Sequence, residues 1–529
     1  MSTDGDRVLM VAPAQVVMVA GTGSHVGKSV LAAALCRMYA RRGLRVAPFK
    51  AQNMALNSFV TAEGGELGRA QAYQADAAGI EPHVDMNPIL LKPSSQTGSE
   101  VIVLGRPVGH MSVREYHAYQ RQVWPVVTAA LDRLRAANDL IVVEGAGSIA
   151  EINLRDHDIV NMKVALYARA PVLLVADIDR GGVFASLFGT VELLEPEERA
   201  LVRAFVINKF RGDASLLDSG IRFLEERTAI PTLGVIPYLS DWRGDEEDSL
   251  GIEDRQRRTK PNAAVRIAVV RLPFISNYTD FDALSDEQDV SVVFVTSPRE
   301  LEGKAAIILP GTKSTIDDLR WLRESGLADA IVAKAAEGVP VVGICGGYQM
   351  LGKVILDPNR VESTVFSAQG LGLLDIETVF GGDKRTVRVT GELTGAGIGP
   401  EGTPVSGYEI HMGRSRRGPS ARPLLRLKKR GGHVGTAGSD RDSHDEGAVS
   451  LDGTVFGSYV HGLFDHLAVR DRFLNSLRRT AGLPEKARAE AQSSGEPVRA
   501  GTASIDRLTD HISDYLDTNL LATIVGMGL

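Results

Sequence analysis

Two cysteines in 529 residues exclude a disulfide framework and fit a reducing compartment. One of them, Cys36, lies in the apolar run Leu31-Ala32-Ala33-Ala34-Leu35-Cys36 and reads as helix core. Positive charge is also in short supply. Against 66 acidic residues stand 59 Lys and Arg, a net charge of -7, which gives no reason to expect a nucleic-acid partner. No stretch reaches the roughly 18 uninterrupted apolar residues that a bilayer span requires, so no membrane partner is expected. The segment Met1-Ser2-Thr3-Asp4-Gly5-Asp6-Arg7 is acidic, and no small-residue cleavage site follows a suitable apolar core. A cytoplasmic location is expected.

What is present is ordinary in composition, 44% hydrophobic and 24% charged, and long enough for at least two cores. Apolar runs at Gln15–Ala20, Arg45–Phe49, Leu140–Val143, Val172–Val175 and Ala204–Ile207 read as strands, and Lys28–Arg41 as a helix. From about residue 241 the composition changes. Asp245-Glu246-Glu247-Asp248 is acidic, Arg255-Gln256-Arg257-Arg258 is basic, and Pro261 follows. Strand-helix alternation resumes at 266–270 and continues through 292–295, 306–309 and 339–344. The fold class expected is α/β: two doubly wound parallel-sheet domains at 1–250 and 265–529, joined by a linker at 251–264. Residues 413–447, rich in Arg, Gly, Ser and Asp, read as a flexible surface excursion, and Ile505–Leu521 as a terminal helix closing the second domain.

Val341-Val342-Gly343-Ile344-Cys345-Gly346-Gly347-Tyr348-Gln349 is an apolar strand entering a glycine-flanked turn and then a helix. Gly343-x-Cys345-x-Gly347 has the spacing of a nucleophile elbow, with sulfur in place of oxygen. A strained turn with small neighbours lets a substrate carbonyl approach, and a following helix would favour thiolate. A Cys nucleophile needs a base, and His461, at the end of Val455-Phe456-Gly457-Ser458-Tyr459-Val460, is the candidate.

Gly21-Thr22-Gly23-Ser24-His25-Val26-Gly27-Lys28-Ser29 follows a strand and opens a helix, a context in which backbone N–H groups cradle phosphates. Five residues separate Gly21 from Gly27 where the usual loop has four, so this is a variant loop. ATP is the expected cofactor, on Gly21, Thr22, Ser24, Gly27, Lys28 and Ser29. Mg2+ would be held by Ser29 and by Glu144, which ends the strand Leu140–Val143. Lys50, ending the second strand, is a candidate for phosphate or a substrate carboxylate.

The loop resembles that of dethiobiotin synthetase and its relatives, and Asn208 resembles their adenine-reading Asn. The Cys345 half resembles class I glutamine amidotransferases. In that resemblance Leu309-Pro310-Gly311-Thr312-Lys313 is the oxyanion loop, with Gly311 and Gly346 as donors and glutamine as the ammonia source. Those enzymes carry Glu two residues after the His, and here that position is Leu463. The absence resembles the cobyrinate-type branch, and Glu409 and His411 are candidate substitutes.

A variant phosphate loop ahead of a Cys-His glutaminase resembles the corrinoid amidotransferases of cobalamin biosynthesis. Longer strings carry this: Phe49-Lys50-Ala51-Gln52-Asn53-Met54, Glu151-Ile152-Asn153-Leu154-Arg155-Asp156, Ala176-Asp177-Ile178-Asp179-Arg180-Gly181-Gly182 and Asn277-Tyr278-Thr279-Asp280-Phe281-Asp282. The resemblance implies ATP- and glutamine-dependent amidation of carboxylates b, d, e and g of adenosylcobyrinic acid a,c-diamide, with a sheltered ammonia path between the halves. Arg69, Arg155 and Arg180 are candidates for pairing the substrate's carboxylates. The nearest alternative is the same chemistry on another acceptor, as in a,c-diamide synthesis or peptidoglycan-precursor amidation. A partition-type ATPase switch is the alternative from another class, and it leaves the Cys345 half unexplained. A homo-oligomer is compatible with all of these readings.

Overall fold

The computed structural model describes residues 13–94, 98–239, 259–431, 443–486 and 502–528. The strand Gln15–Gly21 is central to the first sheet because both of its faces are apolar. Val16, Met18 and Ala20 enter one hydrophobic core, while Val17 and Val19 enter another on the opposite face. Parallel strands surround it in the order Thr232–Pro237, Val202–Phe210, Val172–Asp177, Gln15–Gly21, Leu140–Glu144, Val46–Phe49. The order reverses at the central strand, so the carboxyl ends of its neighbours open the crevice in which such sheets bind ligands. A second, four-stranded sheet is inserted beside it, from Gln52–Met54, Ile89–Pro93, Gly98–Val103 and Arg106–Ser112. The helix Val113–Ala137 leaves this sheet through a capping box, Ser112 and Glu115 each accepting from the other's backbone N–H.

In the second half, parallel strands run Val290–Val295, Val265–Val270, Ala306–Leu309, Val341–Ile344, Val455–Ser458, with two antiparallel strands added at one edge. Two elements differ from the sequence reading. Residues 413–431 and 444–446 are largely strand, paired in a sheet with Ile376–Leu393. The arginines that suggested an excursion are one exposed face of a pleat, where Arg414 and Arg416 alternate with half-buried Ser415 and Arg417. Residues 432–442 lie outside the described residues, as do the acidic and basic runs at 245–248 and 255–258.

The C-terminal segment is the second correction. It forms two helices, Thr502–Asp514 and Thr518–Val525, and Asp517 caps the second by accepting from the N–H groups of Asn519 and Leu520. Ile505, Leu508, Ile512, Leu521 and Val525 join the core of the first half, against the helix Lys28–Ala40. Arg37 pairs with Asp506 at 2.7 Å on the same contact. The chain therefore ends on the domain where it began. Among the described residues no helix is long and apolar enough to cross a membrane.

The halves meet through buried polar pairs. Ser58 N–H donates to Asn277 Oδ1 at 2.9 Å, and Tyr278 N–H to Asn57 Oδ1 at 3.2 Å. Lys384 Nζ sits between Glu66 Oε2 at 2.7 Å and Glu100 Oε2 at 2.9 Å. Lys92 and Lys313 complete the cluster from opposite halves, at 2.5 Å from Glu66 and 3.0 Å from Glu100.

Candidate functional site

Cys345 has φ 51° and ψ -108°, a conformation that L residues avoid and that survives only where packing dictates it. A Cβ on Gly347 would collide with the Leu309 carbonyl, so the turn after Cys345 requires glycine there. The helix that follows spans only Gly346–Met350, too short for much dipole. Activation by a partner is the stronger effect, and strand order supplies it. Ile344 lies in register with Ser458, so the neighbouring strand ends deliver Cys345 and His461 to one point. There the sulfur is close enough to raise the proton affinity of His461, and Cys345 Sγ donates to Ile410 O at 3.4 Å.

The missing Glu is replaced by a residue from a distant loop. His461 Nδ1 donates to Asp280 Oδ2 at 2.7 Å, and the other oxygen of Asp280 accepts from Gly462 N–H at 3.2 Å. Burial opposes the imidazolium, but the Asp280 charge and its hydrogen bond outweigh it, and His461 is lifted to about 10. Asn277 lies 3.3 Å from His461 Nε2, and the Tyr408 ring stacks on the imidazole at 5.1 Å. Glu409 and His411, the candidates from sequence, do not take this role. His411 holds the Gly413 carbonyl at 2.7 Å and stacks on Tyr459.

Gly346 follows the nucleophile, and Gly311 borders His461. A Cβ on Gly311 would lie 3.1 Å from His461 Cε1, and one on Gly346 would lie 2.6 Å from Thr312 Cγ2. A cavity of about 410 Å3 opens here, lined by Cys345, Gly346, Thr315, Gln349 and Glu362 among others. Glu362 accepts from Ile316 N–H at 3.2 Å, while its Oε2 is buried with no protein partner. Burial raises this carboxyl to about 7.

The second site lies at the carboxyl ends of the first sheet. Gly27 has φ 102°, and a Cβ there would collide with Asn208 Nδ2. Asn208 itself braces the loop, donating to Val26 O at 2.9 Å and accepting from Lys209 N–H. It also lines a small cavity with Tyr238 and His511, so the C-terminal helix reaches the place expected for the base. Lys28 Nζ donates to Gly23 O at 2.8 Å and Gly147 O at 3.0 Å, and Thr22 N–H to Val175 O at 3.0 Å. Glu144 collects Ser29 Oγ at 2.8 Å, Lys50 Nζ at 3.0 Å and Gln74 Nε2 at 2.5 Å. Burial would raise Glu144, but Lys50 and these hydrogen bonds hold it below the usual carboxylate range. Lys50 thus meets Glu144 directly. A cavity of about 250 Å3 adjoins Ser24, Gly27, Lys28, Ser29, Lys50 and Glu144.

Ser29 and Glu144 are hard oxygen donors that suit Mg2+. Among the described residues no group of three His, Cys, Asp or Glu could hold a metal unaided, so an ion here would share the nucleotide's oxygens. Sequence reasoning missed Gln74, whose helix gave no motif, and Asp280, whose string was noticed without a role. The three arginines are not brought together. Arg155 pairs with Glu195 at 2.6 Å, Arg69 lies over the Phe59 ring, and Arg180 is mostly exposed near Asp177.

A glutaminase elbow and a phosphate-binding loop in one chain define an ATP-dependent amidotransferase of the two-domain kind. Residues 17–250 match the CobQ/CobB/MinD/ParA nucleotide binding domain, and residues 266–469 the CobB/CobQ-like glutamine amidotransferase domain. The chain is 51% identical to cobyric acid synthase of Sorangium cellulosum (strain So ce56), over 97% of this chain and 98% of that protein. It is 50% identical to cobyric acid synthase of Desulforudis audaxviator (strain MP104C), over 97% of this chain and all of that protein, 100%. The enzyme of the same name from Dehalococcoides mccartyi (strain CBDB1) is 49% identical, over 98% of this chain. The chain belongs to the cobyric acid synthase family.

Proposed function

We propose that this protein uses ATP and glutamine to amidate carboxylates b, d, e and g of adenosylcobyrinic acid a,c-diamide. The observation that carries the reading is the Cys345–His461–Asp280 chain set against a second half that holds Lys28, Ser29 and Glu144 around one phosphate-sized crevice.

In the glutaminase half, Cys345 Sγ attacks the side-chain carbonyl carbon of glutamine while its proton rests on His461, whose imidazolium Asp280 stabilises. The N–H groups of Gly311 and Gly346 receive the developing oxyanion. His461 returns the proton to the leaving nitrogen, giving ammonia and a glutamyl thioester, which water hydrolyses to glutamate. Asp280 holds the imidazole in the tautomer this cycle needs. Glu362, with its buried free oxygen beside Thr315, receives the α-ammonium group of glutamine.

In the synthetase half, an acceptor carboxylate attacks the γ-phosphorus of ATP, ADP leaves, and ammonia then displaces phosphate from the acyl phosphate. Ser24 and Gly27 offer backbone N–H groups to the phosphates, Gly21 and Thr22 anchor the loop to the sheet, and Lys28 neutralises the phosphate charge. Magnesium, held through Ser29 and Glu144, would supply further charge neutralisation there. Asn208 borders the base. Ammonia is protonated in bulk water at neutral pH, so a sheltered path is required, and the buried Asn57, Ser58 and Asn277 beside His461 lie on the surface where it would cross.

Incubation with ATP, Mg2+, glutamine and the a,c-diamide, followed by counting of added amides by mass, tests the reading. Four additions are expected. Cys345→Ala should abolish glutamine-dependent amidation and spare the ammonia-dependent reaction. No mass change with the wild-type protein would overturn the assignment.

A further inference from the structure

A cavity of about 470 Å3 adjoins the phosphate-loop crevice without being part of it. It lies between the inserted four-stranded sheet, the helix Val113–Ala137 and the turn Ile152–His157. Ser24, Met54, Ala146 and Gly147 line both cavities, so a ligand group passes from one to the other without crossing protein. Its walls are mainly apolar, with Leu91, Met111, Tyr116 and Ile149 inside. At the rim Met54 is 54% exposed and Leu154 46% exposed.

Strand alternation gives the position of this groove a consequence. Leu91 and Met111 face it, whereas their neighbours Lys92 and His110 line the Cys345 cavity. A single sheet therefore separates the groove from the place where ammonia is released.

One polar group inside lacks a partner. Gln120 is 7% exposed, lines the groove, and its Oε1 makes no hydrogen bond to protein. An unpaired buried acceptor is destabilising, a cost that a ligand N–H would remove.

We propose that this groove is the acceptor site, taking a broad amphipathic macrocycle that carries both carboxylate and amide arms. The inference rests on the corrinoid reading above. A carboxylate arm enters the phosphate-loop crevice past Met54 and Gly147, an amide arm donates its N–H to Gln120 Oε1, and the ring lies on the apolar wall. Four different carboxylates must reach one γ-phosphate, so the ring must seat in several orientations. Methionine and aliphatic side chains, which make up most of the wall's surface, permit that, while polar groups such as Gln52, Arg155 and Asn161 also line it.

Two variants test this in the full chain. Leu154→Asp puts like charge at an exposed rim position, where folding is undisturbed, and should raise KM for the a,c-diamide about tenfold while KM for ATP is unchanged. Gln120→Leu should narrow the preference for the a,c-diamide over cobyrinic acid, which lacks the amide arms, a ratio that a merely structural role leaves fixed. Thermal melts by circular dichroism establish that each variant folds. If the wild-type protein amidates the corrinoid but both variants keep its KM and its preference ratio, the groove assignment is overturned and the activity stands. If the wild-type protein amidates no corrinoid, the activity fails and the groove assignment with it.

Discussion

Asp280 Oδ2 lies 2.7 Å from His461 Nδ1 across 181 residues of chain. The carboxylate that orients His461 is therefore carried by the 3-10 turn Tyr278–Phe281 after the strand Val265–Val270, and the position two residues beyond the histidine is free to be Leu463, which is buried in the core.

Asp280→Asn keeps the shape and removes the charge, so the imidazole loses its preferred tautomer. Glutamine-dependent turnover is expected to fall roughly 10²–10⁴-fold. Amidation from added ammonia should stay near wild type, and comparing the two nitrogen sources in one assay checks this.

The same pair gives stability a pH dependence. His461 has a folded value raised to about 10 above its ordinary 6.5, so it binds a proton more tightly when folded. Its contribution is fully present below about pH 6.5 and is lost as the pH rises through about 10. Urea midpoints of wild type and Asp280→Asn should therefore differ most at pH 6 and converge towards pH 10.

Lys384 holds two buried carboxylates from the other half of the molecule. Burial opposes ionisation of Glu66, but Lys384 and Lys92 keep it at about 2, so this stabilisation persists above its ordinary value and is lost as the pH falls through about 2. Lys384→Met leaves Glu66 and Glu100 short of a partner and should cost about 3–5 kcal/mol. Chemical denaturation at pH 7 measures it, and an unchanged midpoint would show that the cluster does not join the halves.

Glu362→Gln removes the charge offered to the α-ammonium group of glutamine. KM for glutamine should rise by roughly tenfold or more while kcat changes little. The discriminating measurement uses glutaramate, which lacks the α-amino group. Wild type should strongly prefer glutamine, and the variant should lose most of that preference.

Much of the fold was legible because its signals are local. Strands buried on both faces read as short apolar runs, and Gln15–Gly21, Val172–Asp177 and Val265–Val270 appear where such runs predict them. The region 413–431 misled because charge was weighed without its period. Arginines at every second position of a half-exposed strand give the same composition as an irregular loop. The terminal helix was visible as apolar periodicity, but its partner was not, since one amphipathic face fits either core.

The chemistry of the two sites divides in the same way. Local sequence was enough to mark Cys345 and Lys28, because a strand, a glycine turn and a helix start are set by neighbours along the chain. Only the tertiary structure decided what those groups meet. Strand order placed His461 beside Cys345, a loop 181 residues before it supplied Asp280, and three buried lysines and two glutamates joined the halves. The physical reason is that a buried charge selects its partner by distance in space, and sheet topology sets that distance.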